Sequence, residues 1–433
     1  MKKIITLTSI ISSAFFATHA MAADLNEIYQ LSLANDAELA AAKAKRSSGD
    51  YQVSLARAAL LPQVTIGATM LDSETEIDGG PTSDIEALSY NATISQTLFN
   101  LNSWYNYKAA SAGGDASELE YVLSEQQLIL RTAGAYFNVL RAKENLETAR
   151  AEEKAVKRQL EQTQQRFEVG LIAITEVHEA EASYDLSYAN LIGQEAALDI
   201  SYEALEQITG QRFENLAHLR SDVEFSTPKK AAGEWVDAGL SKYAGIQLAQ
   251  EGVNAAEYTR KAGWSNYAPV INAQWSYTGG EQVIGTAGVV DATTTSLALT
   301  ATIPLFAGGS NYAKAKQAAA RSTEASANLD LQQRTVKNNI RSLYRKVQTD
   351  VLTVKARNRA TVSSRSALEA TETGYQVGTR NIVEVLNAQR NLFSAQRDYA
   401  NARYDYIIDL LNLKFFAGSL TEADIKALNA WLK

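Results

Sequence analysis

Residues 311–373 read NYAKAKQAAARSTEASANLDLQQRTVKNNIRSLYRKVQTDVLTVKARNRATVSSRSALEATET and contain neither proline nor glycine. Apolar residues recur here at steps of three and four, which is the spacing of a coiled-coil seam. They are Val336, Ile340, Leu343, Val347, Val351 and Val354. A helix of these 63 residues would be about 95 Å long at about 1.5 Å per residue. Because a globular helix averages about 12 residues, the stretch predicts a rod and not a domain-core helix.

The same design occurs earlier in the chain, where residues 104–167 lack proline and predict a second rod. Each rod ends at a Val-Gly pair, Val169-Gly170 and Val377-Gly378, and glycine suits the left-handed residue that follows a helix. Matching segments continue in order at an offset of about 207 residues, which indicates an internal duplication. The first repeat, 23–230, is predicted to hold a helix, strands 63–76 and 88–99, the rod 104–167 and helix 173–209. The second, 231–433, is predicted to hold a helix, strands 270–278 and 295–306, the rod 311–373, helix 381–417 and a C-terminal segment.

The predicted strands alternate apolar and polar residues and have about the length of a tilted membrane-spanning strand. Exposed loops are predicted between paired strands at Gly79-Gly80-Pro81 and Gly279-Gly280. Aromatic residues cluster at the strand ends, as in the interfacial girdles of membrane proteins: Tyr90, Phe99, Trp104, Trp264, Tyr267 and Tyr277. A soluble sandwich fits the alternation alone almost as well. The aromatic positions, the presence of only four strands and the export signal together favour a membrane sheet.

The N-terminus reads as a secretory signal peptide, residues 1–22. Lys2 and Lys3 precede an apolar stretch that is followed by the cleavage pattern Ala20-Met21-Ala22. The alternative, a membrane anchor, needs about 20 apolar residues. The chain has no cysteine, which excludes disulfides, thiolate metal sites and thiol catalysis, and its net charge of −8 argues against nucleic-acid binding. An exported chain without cysteine indicates a bacterial envelope protein.

Four strands are too few to close a membrane barrel, and the lipid bilayer does not tolerate an open sheet edge. Several chains must therefore contribute strands to one barrel. Two copies give eight strands, whose interior is filled by side chains, and three give twelve. Four copies are not excluded by this arithmetic.

Several segments resemble the TolC family of outer-membrane channel-tunnels. They are residues 166–171, 174–177 and 374–386 at the predicted rod ends, and 60–63, 135–140 and 400–404 elsewhere. The resemblance extends in order over the predicted mature chain. It implies a mixed α and β fold: a trimeric, twelve-stranded transmembrane β-barrel continuous with a long α-helical coiled-coil periplasmic tunnel, and a small equatorial domain that includes the C-terminal segment.

The resemblance also implies the function of an outer-membrane exit duct for tripartite efflux pumps, type I protein secretion, or both. The implied partners are two further copies of the chain, a periplasmic adaptor protein, outer-membrane lipid and an inner-membrane transporter of the resistance-nodulation-division, ABC or major facilitator type. No cofactor, metal or catalytic residue is expected: His178 and His218 lack the spacing of a zinc site, and no phosphate-binding glycine loop occurs. The alternatives are an enzyme, a passive channel and a non-transporting coiled-coil spacer.

By resemblance, a polar network closes the periplasmic end of the tunnel, and its members here are Thr175, Glu176, Tyr375, Arg380 and Arg403. A guanidinium carries five donors and can tie carboxylates and hydroxyls of a neighbouring hairpin. Exposed pairs contribute only about 0–1 kcal/mol each, so such links must repeat around a ring. The alternative is that these residues are solvated charges on helix surfaces.

Glu384 and Asn387 occupy the positions where the family has pore-facing aspartates. In a trimer Glu384 would form a ring of three carboxylates that favours cations. Because Asn387 is an amide, the ring would carry three formal charges and not six, which weakens the expected block by divalent cations. The spacing Asn381-x-x-Glu384 equally fits a helix-capping box.

The two glycine tips are predicted to contact the adaptor. The residues concerned are Val169, Gly170, Leu171, Val377, Gly378 and Thr379. The alternative is that these residues only terminate helices, and both roles are compatible.

Overall fold

The computed structural model describes residues 22–76, 78–79, 83–283 and 288–433. Apart from Ala22, the predicted signal peptide lies outside them. The helices are α1 (Leu25–Asn35), α2 (Ala37–Ala58), α3 (Leu101–Glu168), α4 (Ile174–Thr209), α5 (Ala232–Lys242), α6 (Ala244–Ser265), α7 (Ser310–Gln376), α8 (Ile382–Phe416) and α9 (Glu422–Asn429). The strands are β1 (Gln63–Thr75), β2 (Ser83–Asn100), β3 (Val270–Val283) and β4 (Val289–Thr302).

Two very long helices dominate the molecule. α3 has 68 residues and α7 has 67, so each is about 100 Å long at about 1.5 Å per residue. α3 begins where the Asn100 side chain accepts a hydrogen bond from the Ser103 amide (3.1 Å). α4 folds back along α3 and α8 along α7, which gives two long helical hairpins. Within the described residues, each helix is too short or too polar to pass through a bilayer.

The four strands form one antiparallel sheet in the order β1-β2-β3-β4, so β1 and β4 are its edges. The predicted strand 295–306 is wrong at its C-terminal end, because β4 stops at Thr302. Alternation continues through Ile303 and Leu305, but Pro304 has no amide to donate to a ladder. At the other end β4 begins earlier than predicted, with Val289 opposite Val283. The predicted strand end at residue 278 and the predicted loop at Gly279-Gly280 are therefore wrong, because both glycines pair with β4.

The main core lies about halfway along α3, between the sheet and the far ends of the hairpins. Tyr136, Phe137 and Tyr404 are completely buried there and pack against α1, α4 and α9 residues. The Tyr136 hydroxyl donates to the Ala217 carbonyl (2.7 Å), which satisfies a polar group that burial would otherwise penalise. This core joins both hairpins to the short helices around them.

Candidate functional site

The hairpins turn at two loops that have the same backbone design. Gly170 and Gly378 have φ angles of 75° and 80°, in the left-handed region that favours glycine. The Leu171 amide donates to the Arg166 carbonyl and the Thr379 amide to the Gly374 carbonyl, both at 2.9 Å. These bonds satisfy carbonyls that the helix ends leave free. The interpretation of both glycines as helix terminators is therefore confirmed.

The tip residues are apolar and unusually exposed. Val169, Leu171 and Val377 have 71%, 73% and 70% of their surface accessible. A Cβ at Gly170 or Gly378 would meet no atom within 4 Å among the described residues. The tips are thus bare ends of the hairpins and offer apolar surface to another molecule.

The structure places four of the five predicted network residues near the tips without joining them to one another. Thr175 and Glu176 lie in the first turn of α4, and Tyr375 lies in the last turn of α7. Arg380, in the loop before α8, donates to Glu384 of its own hairpin (3.3 Å). The Tyr375 hydroxyl is buried and has no hydrogen-bond partner among the described residues.

Arg403 does not lie at the tip. It is 19 residues beyond Glu384 in the same helix, which places it about 28 Å away along α8. Its side chain is largely buried, donates to the Arg220 carbonyl (3.2 Å) and lies 3.7 Å from the Glu144 carboxylate of α3. Within one chain Arg403 therefore lies apart from the other predicted network residues, and its membership of the network stays a prediction.

Glu384 makes half of the predicted capping box. The Asn381 side chain accepts from the Glu384 amide (2.9 Å), which fixes the start of α8. The Glu384 carboxylate pairs with Arg380, and its second oxygen is buried without a partner among the described residues. Asn387, nearly one turn further on, is exposed. The Glu384 carboxylate is thus held by its own hairpin and keeps one acceptor oxygen free.

Two contacts between the hairpins were not predicted from the sequence. The Arg166 guanidinium lies over the Tyr375 ring, 4.7 Å from its centroid. Higher up, Arg397 of α8 donates to the buried Glu152 of α3 (3.1 Å). Burial raises the pKa of Glu152, and Arg397 partly offsets this effect. Arg166 belongs to a segment that carries the family resemblance, whereas Glu152 and Arg397 show no signal in the sequence.

A groove of about 740 Å³ runs between the hairpins just above the tips. Its walls carry mostly amide and charged side chains: Arg158, Gln159, Gln162, Gln165, Arg166, Glu372, Tyr375, Gln376 and Gln389. The Gln389 side chain donates to the Glu372 carboxylate at 3.4 Å, and the Gln159 amide nitrogen is buried without a partner among the described residues. Such walls suit water or a polar segment better than an apolar ligand.

Comparison with known proteins places this geometry in a family. The model of the outer membrane efflux protein family matches residues 28–211 and 237–419. The outer membrane protein TolC of Vibrio cholerae serotype O1 is 35% identical over 438 residues, which cover 100% of this chain and 99% of the relative. The chain belongs to the outer membrane efflux protein family. It is therefore an exit duct of the Gram-negative outer membrane whose long helices lie in the periplasm.

Two further comparisons agree with this assignment. The alkaline protease secretion protein AprF of Pseudomonas aeruginosa is 28% identical over 424 residues, which cover 95% of this chain and 88% of that protein. The crystal structure of the Campylobacter jejuni CmeC outer membrane channel has a TM-score of 0.81 and 19% identity. That match covers 94% of this chain and 90% of the CmeC chain and shows the shared fold. The family consists of efflux proteins and not of enzymes.

Proposed function

We propose that three copies of the chain close one twelve-stranded barrel and form a trimeric duct that passes substrates from the periplasm to the cell exterior. The observation that carries this proposal is the two-sided sheet. One face presents Ile66, Met70, Leu88 and Leu297, all more than half exposed. The opposite face presents Asn91 and also Thr65, Thr93 and Ser276, which pair in register across three strands. An apolar outside and a polar inside are the pattern of a water-filled membrane barrel.

The sheet edges provide the joints between copies. β1 and β4 each have one side without a strand neighbour in the described sheet. Pairing β4 of one chain with β1 of the next satisfies both edges, which the bilayer requires. Particle images of the protein in detergent test this proposal: three-fold particles are expected, whereas monomers or two-fold particles would contradict it.

The exposed apolar tips support docking to a periplasmic adaptor, which in turn joins an inner-membrane transporter. Both efflux and protein secretion are proposed, since the relatives include TolC and a protease secretion protein. A deletion strain scored together for drug sensitivity and for protein secretion tests this breadth. Restoration of both traits by the wild-type gene is expected, and restoration of neither would overturn the proposed transport role.

The gate is proposed at the tips, where Arg380 reaches Thr175 and Glu176 of the neighbouring subunit in the closed ring. Because Arg380 is exposed and lies beside the turn, it is free to exchange Glu384 for such a partner. The Glu384 carboxylates and the Asn387 amides then line the opening. Arg380→Ser should raise the conductance of the duct in planar bilayers, and an unchanged conductance would contradict the gate assignment.

A further inference from the structure

Three lysines on neighbouring helices each lie over an aromatic ring one turn away in the same helix. The pairs are Lys108 with Trp104 in α3 (5.3 Å from the ring centre), Lys261 with Tyr258 in α6 (5.4 Å) and Lys316 with Tyr312 in α7 (5.5 Å). Each lysine is four to seven residues from the helix end nearest to the sheet, which is about 6–11 Å along the helix. Because α6 packs against both α3 and α7, the three lysines lie at one height beside the sheet. Together they form the basic belt: Lys108, Lys261 and Lys316.

The belt lies in a positively charged zone of an otherwise acidic chain. The parts of α2, α3, α6 and α7 nearest to the sheet are residues 48–58, 101–111, 255–265 and 310–320. They contain six lysines and arginines but only two acids, whereas the whole chain has a net charge of −8. Arg260 is already paired with Glu257 (2.6 Å). The belt lysines form no ion pair within the described part of the chain, so their charge is available to an anion from outside.

An apolar groove of about 310 Å³ leads from the sheet towards this belt. Most of its lining is apolar: Leu60, Leu98, Phe99, Leu101 and Trp104. Phe99 pairs in register with Ile271 and so lies on the apolar face of the sheet, the face of Leu297. Since Lys108 lies over the Trp104 ring, the groove joins the apolar face of the sheet to a positive charge.

A second groove, of about 370 Å³, lies between α3 and α6 and shares Leu101 with the first. Tyr105 and Trp264 line it together with Arg260 and Lys261. Tyrosine and tryptophan are enriched where protein surface meets lipid headgroups, and basic pockets at this level bind anionic headgroups. A lysine can lay its aliphatic stem along apolar surface while its ammonium group reaches the headgroup. The two grooves therefore combine the groups that hold both parts of a phospholipid.

We propose that the two grooves and the basic belt bind an anionic glycerophospholipid of the periplasmic leaflet of the outer membrane. Its acyl chains lie against the apolar groove, and its phosphate lies at Lys108 and Lys261. Charge complementarity selects this occupant, because an apolar groove alone would accept any acyl chain, whereas unpaired lysines favour a headgroup with a net negative charge. The inference rests on the proposed barrel, since the apolar face of the sheet must meet lipid for the groove to open into the bilayer.

Native mass spectrometry of the intact protein in detergent measures this binding. Phosphatidylglycerol, which has a net negative charge, is titrated in one arm. Phosphatidylethanolamine with the same acyl chains is titrated in the other, because its amine balances the charge of its phosphate. The wild-type protein should bind phosphatidylglycerol about tenfold more tightly, since the lysines gain little from a headgroup that carries its own amine.

Lys108→Gln and Lys261→Gln should each weaken the binding of phosphatidylglycerol about fivefold, the size expected for one lysine at an anionic membrane surface. The double variant should weaken it about 25-fold, while its affinity for phosphatidylethanolamine stays near the wild-type value. Lys108→Arg keeps the charge and should bind like the wild type. Lys154→Gln, which removes an exposed lysine of α3 far from the sheet, is the matched control and should have no effect. Circular dichroism of each variant confirms native helix content.

Equal affinity of the wild type for the two lipids would overturn the anionic site, and so would unchanged binding of phosphatidylglycerol by the double variant. Displacement of the bound lipid by glycerol phosphate would show that the lysines take a small phosphate, and it would overturn the lipid assignment. Failure of the wild type to bind either lipid would contradict the proposed barrel itself. Binding of both lipids without preference would leave the barrel standing and remove only the anionic site.

Discussion

Replacing Asp350 by asparagine should remove a pH-dependent part of the stability of the helical tunnel. Asp350 lies in α7, half-buried against α8, and faces the buried Asp409. Lys346, one turn earlier in α7, is ion-paired with Asp409 at 2.9 Å. Burial, followed by the hydrogen bond and the charge of Asp409, raises the pKa of Asp350 from 3.8 to about 7.

The groups around Asp350 explain why its proton is retained. They come from three helices: Lys346 of α7, Asp405, Tyr406 and Asp409 of α8, and Arg141 of α3. Arg141 binds Asp405 at 2.7 Å, and Lys346 binds Asp409, so each cation already has its own carboxylate. The third acid, Asp350, is therefore left without a full counter-charge. A neutral carboxyl that donates to Asp409 is the favourable state.

The sign and size of the effect follow from linkage. A carboxyl whose pKa is raised by folding stabilises the protein below its unfolded value near 4, and this contribution is lost as the pH rises through about 7. At about 1.4 kcal/mol per pKa unit, the contribution of Asp350 to the free energy of unfolding is at most about 4 kcal/mol per chain. Because Asp350 is only half-buried, water screens part of the interaction, and we expect a contribution of about 2 kcal/mol to the free energy of unfolding. For a chain of this size that corresponds to roughly 2 °C in Tm.

The assay compares Tm at pH 5 and pH 8 by circular dichroism of the helices. Between pH 5 and pH 8 the Tm of the wild-type protein should fall by about 2 °C more than the Tm of Asp350→Asn. Asp398→Asn is the matched control, because Asp398 forms an exposed pair with Arg357 in the same hairpin (2.8 Å). Its pH dependence should equal that of the wild type. If Asp350→Asn keeps the full wild-type dependence, the account of this cluster is refuted.

Three other variants test separate parts of the molecule. Gly378→Trp should abolish complementation of an efflux-deficient strain while leaving assembly intact. Gly378→Ala carries the same backbone strain of about 1 kcal/mol without the bulk, so it should complement. Equal complementation by both variants would remove the docking proposal. Asn387→Asp doubles the charge of the proposed Glu384 ring and should increase both cation selectivity and block by divalent cations. These are measured in planar bilayers as the reversal potential and the conductance. Unchanged values would place residue 387 outside the pore. Tyr404→Phe removes the hydrogen bond from Tyr404 to Glu144 (2.6 Å). The free energy of unfolding should fall by about 1–2 kcal/mol, which lowers Tm by about 1–2 °C. An unchanged Tm would mean that water replaces the bond at no cost.

The helices and strands were predictable where the sequence pattern is compatible with only one kind of secondary structure. Sixty or more residues without a helix breaker, with apolar steps of three and four, have no alternative but a long helix. The strand ends were less predictable. Alternation alone suggested that β4 continues to residue 306, yet Pro304 ends the strand. At the other end β4 extends to Val289 because its backbone pairs with β3, and residue types do not reveal that pairing.

The site was predictable only in its local parts. The glycine turns and the Asn381 cap depend on neighbouring residues and are visible in the sequence. The contact between Arg166 and Tyr375 joins positions 209 residues apart, and it depends on how α3 and α7 are aligned along their length. Family resemblance named Arg403 as part of one network, and the predicted helix 381–417 already sets its height above the tip, but neither reveals which residue of another helix it contacts. Only the packing of α8 against α3 brings Arg403 to Glu144.

The distribution of buried contacts explains why an opening motion should be confined to the tips. Halfway along the tunnel, fully buried aromatic side chains such as Tyr136 and Tyr404 join both hairpins to α1 and α9. Separating the hairpins there would expose a large apolar area at about 25 cal/mol per Å². Near the tips a five-residue cluster and a few polar contacts provide far less resistance. Local opening follows the region of fewest buried contacts, so the hairpins should pivot near Glu152–Arg397 and leave the core and the β-sheet undisturbed.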